Sequence, residues 1–362
     1  MNFLENPITN QEFQLYGEDL RCLDSGKPMM TVTPYDIDID VAISICRKNV
    51  KHILKTKFND PSISSLFIRR IGQNSFIYDK HTKLNEIFET TDKTDIHEIF
   101  ELFDRNKYLF RFFASTKSKV VCAVWSHAIM DGITNQRIAR AIVGIPETVD
   151  IVPIEHPPFL IKQYCVLETI GRLAQTYLWD SQLPKDLETP VFKETVFSIQ
   201  KIKDISKQNG VSFPATVSAM YLQKIFKELP KNVTKLKVFI PVYIKNPNRF
   251  NNYSVLPIIV LRNKCTPTDI NNSMKENKNL IFGFYELFRT NLLTNMKSNV
   301  NWLKPDVIFS SIKNDDSVGP LQINRISIYN YSSAAKIYAC GLQVGQENFY
   351  INSCIQTSIC KL

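Results

Sequence analysis

Three residues at fixed spacing carry the chemistry this sequence offers. They are His127, Asp131 and Gly132, in the run Ser126-His127-Ala128-Ile129-Met130-Asp131-Gly132. An imidazole titrates near neutral pH, so it can take a proton from an attacking group and return it to a departing one. That work needs a rigid mount, a fixed tautomer and access to substrate. Residues 120–126, VVCAVWS, read as a strand buried on both faces, and the end of such a strand supplies the mount. A sharp turn after it would expose the ring. Asp131 would lock the turn by pairing with a distant Arg or Lys, and Gly132 would let substrate or backbone come close. The ordinary alternative is a strand end and its turn. With five His in the chain, H-x-x-x-D-G arises by chance on the order of once in a hundred chains.

The elements around the motif follow from periodicity. Residues 41–58 have a helical pattern, 65–79 read as a hairpin turning at Gly72 to Ser75, and 95–108 as a short amphipathic helix. Residues 109–116 alternate as a strand does. Residues 133–144 put Ile138, Ala141 and Ile142 on one face of a helix that ends at Gly144. Four prolines in 144–158 mark a linker, and 159–183 read as a helix. A second mixed unit follows: a strand and a helix capped at Gly210, then a long helix over 211–229 with small Ala215, Ser218 and Ala219 near its start. Next come strands at 235–244 and 251–263, and a helix over 273–296. Pro257 in the second strand predicts an edge or a bulge. Strands at 306–314, 323–332, 336–347 and 349–359 complete the chain, which predicts an α/β (α+β) protein.

Composition narrows the function. The chain has 362 residues, 44% hydrophobic and only 11 Gly, with no Rossmann fingerprint, no P-loop and no G-x-S-x-G. Its net charge of +9 suits a phosphate-bearing ligand, an acidic carrier protein or an anionic membrane, although a plain solvated surface is the more ordinary explanation. The lysines are scattered, with no run of five basic residues, which disfavours nucleic acid. Eight cysteines include no C-x-x-C, and no His stands at zinc-finger spacing, so no metal site is expected. Cys46 and Cys122 sit within apolar runs, as buried free thiols do. The start of the chain has no signal-peptide pattern and no 18-residue apolar stretch occurs, so a cytoplasmic protein without a transmembrane segment is expected.

Other candidates have ordinary explanations. His156 stands in the proline-rich linker, and His52, His81 and His97 lie in polar surroundings. Trp125 suits core packing, though it could line a substrate path. Ser310 and Ser311, at a strand end, suit turn capping or donation to an oxyanion.

The motif in its strand–turn–helix setting resembles the chloramphenicol acetyltransferase-like superfamily. That group includes condensation domains, alcohol acetyltransferases and polyketide-associated acyltransferases, and its signature is H-H-x-x-x-D-G. His127 matches the second His, the family's base, and Ser126 replaces the first, which the family uses structurally. Asp131 and Gly132 match the remaining positions. The family's Arg partner for the Asp falls near Lys245, with Arg249 four residues on, and either could serve. Residues 6–16, 197–229, 236–260 and 306–314 resemble further segments more weakly. The D-F-G-W-G motif of the plant branch is absent.

The resemblance implies two similar domains in a V with a central channel. Its halves would be 1–152, with the motif, and 191–362, joined by a linker and crossover helix at 153–190. It implies an acyltransferase with no bound cofactor. Acyl-CoA or an acyl carrier protein would be the thioester donor, and an alcohol or amine the acceptor. His127 would be the general base, and Ser310, Ser311 or a backbone N–H near Gly132 the oxyanion donor. The alternative is a catalytically inactive binding or scaffold member of the same fold, which Ser126 and the short chain favour.

Overall fold

The computed structural model describes residues 8–15, 23, 28–61, 63–73, 75–145, 157–177, 181–183, 190–244, 253–289, 305–312, 319–323, 325–330, 335–344, 347–356 and 359. The chain divides into two compact units. The first comprises Met1–Ile151, Lys245–Asn252 and Lys313–Ser332; the second comprises Val152–Ile244, Tyr253–Ile312 and Ser333–Leu362.

The elements run in chain order. First come β1 (Glu12–Gln14), β2 (Met29–Pro34), α1 (Ile39–Thr56), β3 (Ile68–Arg70), β4 (Ser75–Tyr78), α2 (Leu84–Ile87), β5 (Phe88–Thr91), α3 (Ile96–Glu101), β6 (Phe110–Ser115), β7 (Val120–Trp125) and α4 (Gly132–Val143). Then follow α5 (Phe159–Tyr177), β8 (Pro190–Ser198), α6 (Ile199–Asn209), α7 (Phe213–Glu228), β9 (Lys235–Tyr243), β10 (Tyr253–Leu261), α8 (Pro267–Glu276), α9 (Leu280–Arg289), β11 (Val307–Ile312), β12 (Ser327–Asn330), β13 (Ile337–Val344) and β14 (Asn348–Gln356).

In the first unit a five-stranded sheet runs β12-β2-β7-β6-β5, with β7 at its centre. Its middle position buries both faces, which is why 120–125 is an unbroken apolar run. β12 comes from far along the sequence yet pairs antiparallel with β2, setting Ser327 opposite Val32. A separate three-stranded sheet, β1-β4-β3, contains the expected hairpin, with Ile68 opposite Tyr78. α1 starts two residues ahead of the sequence pattern, at Ile39. Asp38 caps it by accepting from the backbone N–H groups of Asp40 and Val41 at 2.9 and 3.2 Å. α3 stops at Glu101, not at Tyr108. The Leu102 and Phe103 N–H groups tighten onto Ile99 and Phe100, and the Asp104 carboxylate accepts from Asn106 N–H at 2.9 Å, turning the chain away.

The second unit has a six-stranded sheet in the order β10-β9-β11-β13-β14-β8. β11 runs parallel to both β9 and β13, while the other pairs are antiparallel. Pro257 lies on β10, the edge strand, where its missing N–H costs no central ladder bond. The helix expected over 273–296 is two helices. α8 begins earlier, at a Thr266–Asp269 capping box with Pro267 as its first residue, and ends at Glu276 with Asn277 as its C-cap; α9 begins at Leu280. A polar tie holds the segment before β8 to the sheet. Ser181 donates to the buried Asp306 carboxylate, which also accepts from Lys237 N–H at 2.9 Å, and Lys336 reaches Ser181 Oγ at 2.6 Å.

Of the expected segments, most of the 144–158 linker, including His156, lies outside the described residues. Six cysteines are described, all free and buried, and they include Cys46 and Cys122. Among the described residues, no helix is long and apolar enough to cross a membrane.

Candidate active site

β7 is held on both sides up to its last residue. Trp125 pairs with Met29 of β2 and with Phe110 of β6. One more backbone bond, Ser126 N–H to Leu109 O at 2.8 Å, carries the support to the residue before His127. Ser126 then organises the turn. Its Oγ accepts from Ala128 N–H at 3.3 Å, and its carbonyl from Ile129 N–H at 3.4 Å. A serine can therefore stand where the resembling family has its first His and still bond the turn. Ala128, Ile129 and Met130 are fully buried, so the turn is anchored in the core while His127 is only half-buried.

Asp131 ends the turn and begins α4. It is the N-cap: its Oδ1 accepts from Thr134 N–H at 2.8 Å, and its carbonyl from Asn135 N–H at 3.0 Å. Only 3% of the residue is exposed. The sequence pattern pointed to a distant cation as its partner. The structure adds a local role, helix capping, which the D-G spacing before an apolar-periodic run could have revealed. Lys245 and Arg249 lie outside the described residues. Gly132 is the first residue of α4. Helix geometry leaves its N–H and that of Ile133 without intrahelical acceptors, pointing out of a positively polarised end.

α4 differs from the expected amphipathic helix. Asn135, Gln136 and Arg140 are buried along with Ile138 and Ile142, whereas Ala141, expected in the core, is half-buried. The side-chain amides of Asn135 and Gln136 and the hydroxyl of Thr31 on β2 have no hydrogen-bond partner among the described residues. Gln136, Arg140, Thr31 and Thr33 line a cavity of about 10 Å³, the size of one water. Nothing in the periodicity foretold this polar seam, because Asn, Gln and Arg read as the exposed face of a helix.

Ser310 and Ser311 lie on β11 in the second unit, opposite Cys340 and Gly341 of β13. Ser310 hydrogen-bonds the Cys340 thiol, whose complete burial raises its pKa to about 12. Burial alone likewise pushes the Cys122 thiol of β7 up to about 12, so neither is a ready nucleophile. Trp125 is fully buried in the first unit.

No family model matches this chain, and no curated protein sequence does. Solved structures match along nearly its whole length. One is the wax ester synthase/diacylglycerol acyltransferase from Marinobacter aquaeolei VT8, with a TM-score of 0.57 and 16% identity, covering 96% of this chain and 94% of that one. Another is a mutant starter condensation domain of rhizomide synthetase in complex with C8-CoA and Leu-SNAC, with a TM-score of 0.60 and 10% identity, covering 96% and 89%. A third is polyketide synthase associated protein 5 from Mycobacterium tuberculosis, with a TM-score of 0.59 and 10% identity, covering 96% of each chain. What is shared at these identities is the fold.

Proposed function

We propose that this chain, which carries the condensation and acyltransferase fold, moves an acyl group from a thioester to a hydroxyl or amine, with His127 as general base. One observation carries the reading. The only half-exposed residue of the turn after the central strand, apart from the Ser126 that bonds it, is an imidazole, and it is followed at once by a capped helix N-terminus. The bound C8-CoA and Leu-SNAC of one fold neighbour, and the acyltransferase name of another, support a thioester donor.

In this mechanism the acceptor oxygen or nitrogen attacks the thioester carbonyl carbon while His127 takes its proton. The C–O or C–N bond forms, and the carbonyl oxygen becomes an oxyanion. Of the donors suggested by the sequence, the Gly132 N–H at the α4 terminus is preferred, since Ser310 is engaged with Cys340. Collapse breaks the C–S bond, and the imidazolium returns its proton to the departing thiolate. General-base assistance of this kind is worth about 10²–10⁴-fold.

The test is release of free coenzyme A, read by mass spectrometry, from wild type and His127→Ala given a panel of acyl-CoA donors with and without alcohols and amines. A loaded carrier protein is run as a parallel donor. Acceptor-stimulated release that falls at least about 10²-fold in the variant is expected. Equal release by both proteins overturns the role of His127. Binding of donors without turnover in any arm favours the inactive binding member.

A further inference from the structure

α5 shows the reverse of the usual arrangement for a helix on a globular domain. Among its described residues the inward side holds Cys165 and Thr169, fully buried against α9, with Val166 half-buried beside them, and Lys162 pairs with Glu286 at 3.7 Å. The approach is so close that a Cβ on Gly283 would overlap Thr169 and the Cys165 carbonyl. Its outward side is apolar. Phe159, Leu160, Ile161, Tyr164, Leu167 and Ile170 are 47–80% exposed. The set follows helical spacing over three turns, about 16 Å along the axis. Helices that pack on a core turn their apolar stripe inward, and an exposed apolar stripe of this extent marks an interaction surface.

We propose that α5 is the contact by which this protein rests on an anionic lipid surface. Charge selects the occupant. The second unit, which carries α5, holds 21 Lys and Arg against 13 Asp and Glu, whereas the first holds 23 against 22. Almost all of the +9 therefore belongs to the unit that displays the apolar helix. An apolar helical face on a basic body is the combination that binds headgroups by charge and inserts side chains at the acyl boundary. Phe159 and Leu160 are the most exposed of the set, at 71% and 80%, and Tyr164 brings a ring suited to the interface. A bilayer needs no complementary shape to accept such side chains.

The experiment is vesicle flotation of the full chain, with phosphatidylcholine alone and with phosphatidylcholine containing about one-third phosphatidylserine, comparing wild type with the double variant Leu160→Gln/Leu167→Gln. Both positions are exposed, so the fold should tolerate the change; a circular dichroism melt and sedimentation velocity accompany each protein. Wild type is expected to float with the anionic vesicles at least about tenfold more tightly than with neutral ones, less so as salt rises. The folded variant should lose at least about tenfold, since removing one leucine's transfer is enough for that. The proposal is overturned if wild type floats with neither vesicle, or if the variant floats equally well. It is also overturned if wild type sediments as a dimer that the variant breaks without any vesicle binding, because a second copy then covers α5.

Discussion

Asp131 is expected to do two separable jobs, and two substitutions separate them. Asp131→Asn keeps an oxygen that can accept from Thr134 N–H, now at 2.8 Å, and removes the charge. Asp131→Ala removes both. The difference between the two variants is therefore the cap, worth about 1 kcal/mol within a range of about 0.5–2. The cost of the Asn variant relative to wild type is the charge alone. For a carboxylate that only caps, it is near zero. For a buried carboxylate paired with a cation, losing the charge strands the partner and costs about 3–5 kcal/mol. Only 3% of the residue is exposed, and the pairing with a cation predicts the larger figure. Urea unfolding followed by circular dichroism gives both differences, provided the slope with denaturant is unchanged. Acceptor-stimulated thioester cleavage by the same proteins should fall in the same order, Asn before Ala, because each step loosens the mount of His127. Equal stability of the two variants would refute the capping argument. An Asn variant as stable as wild type would refute the paired charge and remove Lys245 and Arg249 from consideration.

Gly283→Ala places a methyl inside the van der Waals shell of Thr169 and the Cys165 carbonyl, so the α5–α9 contact must spread. A loss of about 1–3 kcal/mol is expected in chemical denaturation, only partly restored by adding Thr169→Ala, since the backbone carbonyl remains. Asp306→Ala takes the acceptor from Ser181, from Lys237 N–H and from the nearby Lys336 ammonium, and should cost about 3–5 kcal/mol; a change below about 1 kcal/mol would show the tie to be dispensable. Burial raises the Cys46, Cys122 and Cys340 thiols from 9.0 to about 12. The unfolded chain ionises first, so their contribution is whole below pH 9 and is lost as pH climbs toward 12. The urea midpoint should decline between pH 8.5 and 10.5, less steeply in Cys122→Val, and a thiol reagent should label these cysteines only on unfolding.

The strand, turn and helix around His127 were legible in the sequence because each is local. An unbroken apolar run means burial on both faces, Ser and Asp bond backbone groups two or three residues away, and Gly144 ends the helix with positive φ. Local interactions leave their signature in neighbouring letters. The sequence misleads at two kinds of place: helix ends set by a single polar side chain, and surfaces set by distant chain. α3 and the helix expected at 273–296 stop early because polar side chains at Asp104 and Asn277 bond nearby backbone, overriding a periodicity that would have continued. β12 closes one flank of the sheet that mounts the motif, yet most of the second unit lies between it and β2 in the chain, and no spacing rule could pair Ser327 with Val32. Asn135, Gln136 and Arg140 look like a solvated face; only the packing of α4 buries them. α5 is the converse case. Its letters read as a helix with enough apolar side chains for a core, and only the tertiary structure decided that Cys165 and Thr169 face inward while Leu160 and Leu167 face out. Sequence fixes which way a short segment turns, because that energy is local. It does not fix which face of a segment is covered, because that depends on what else the chain brings there.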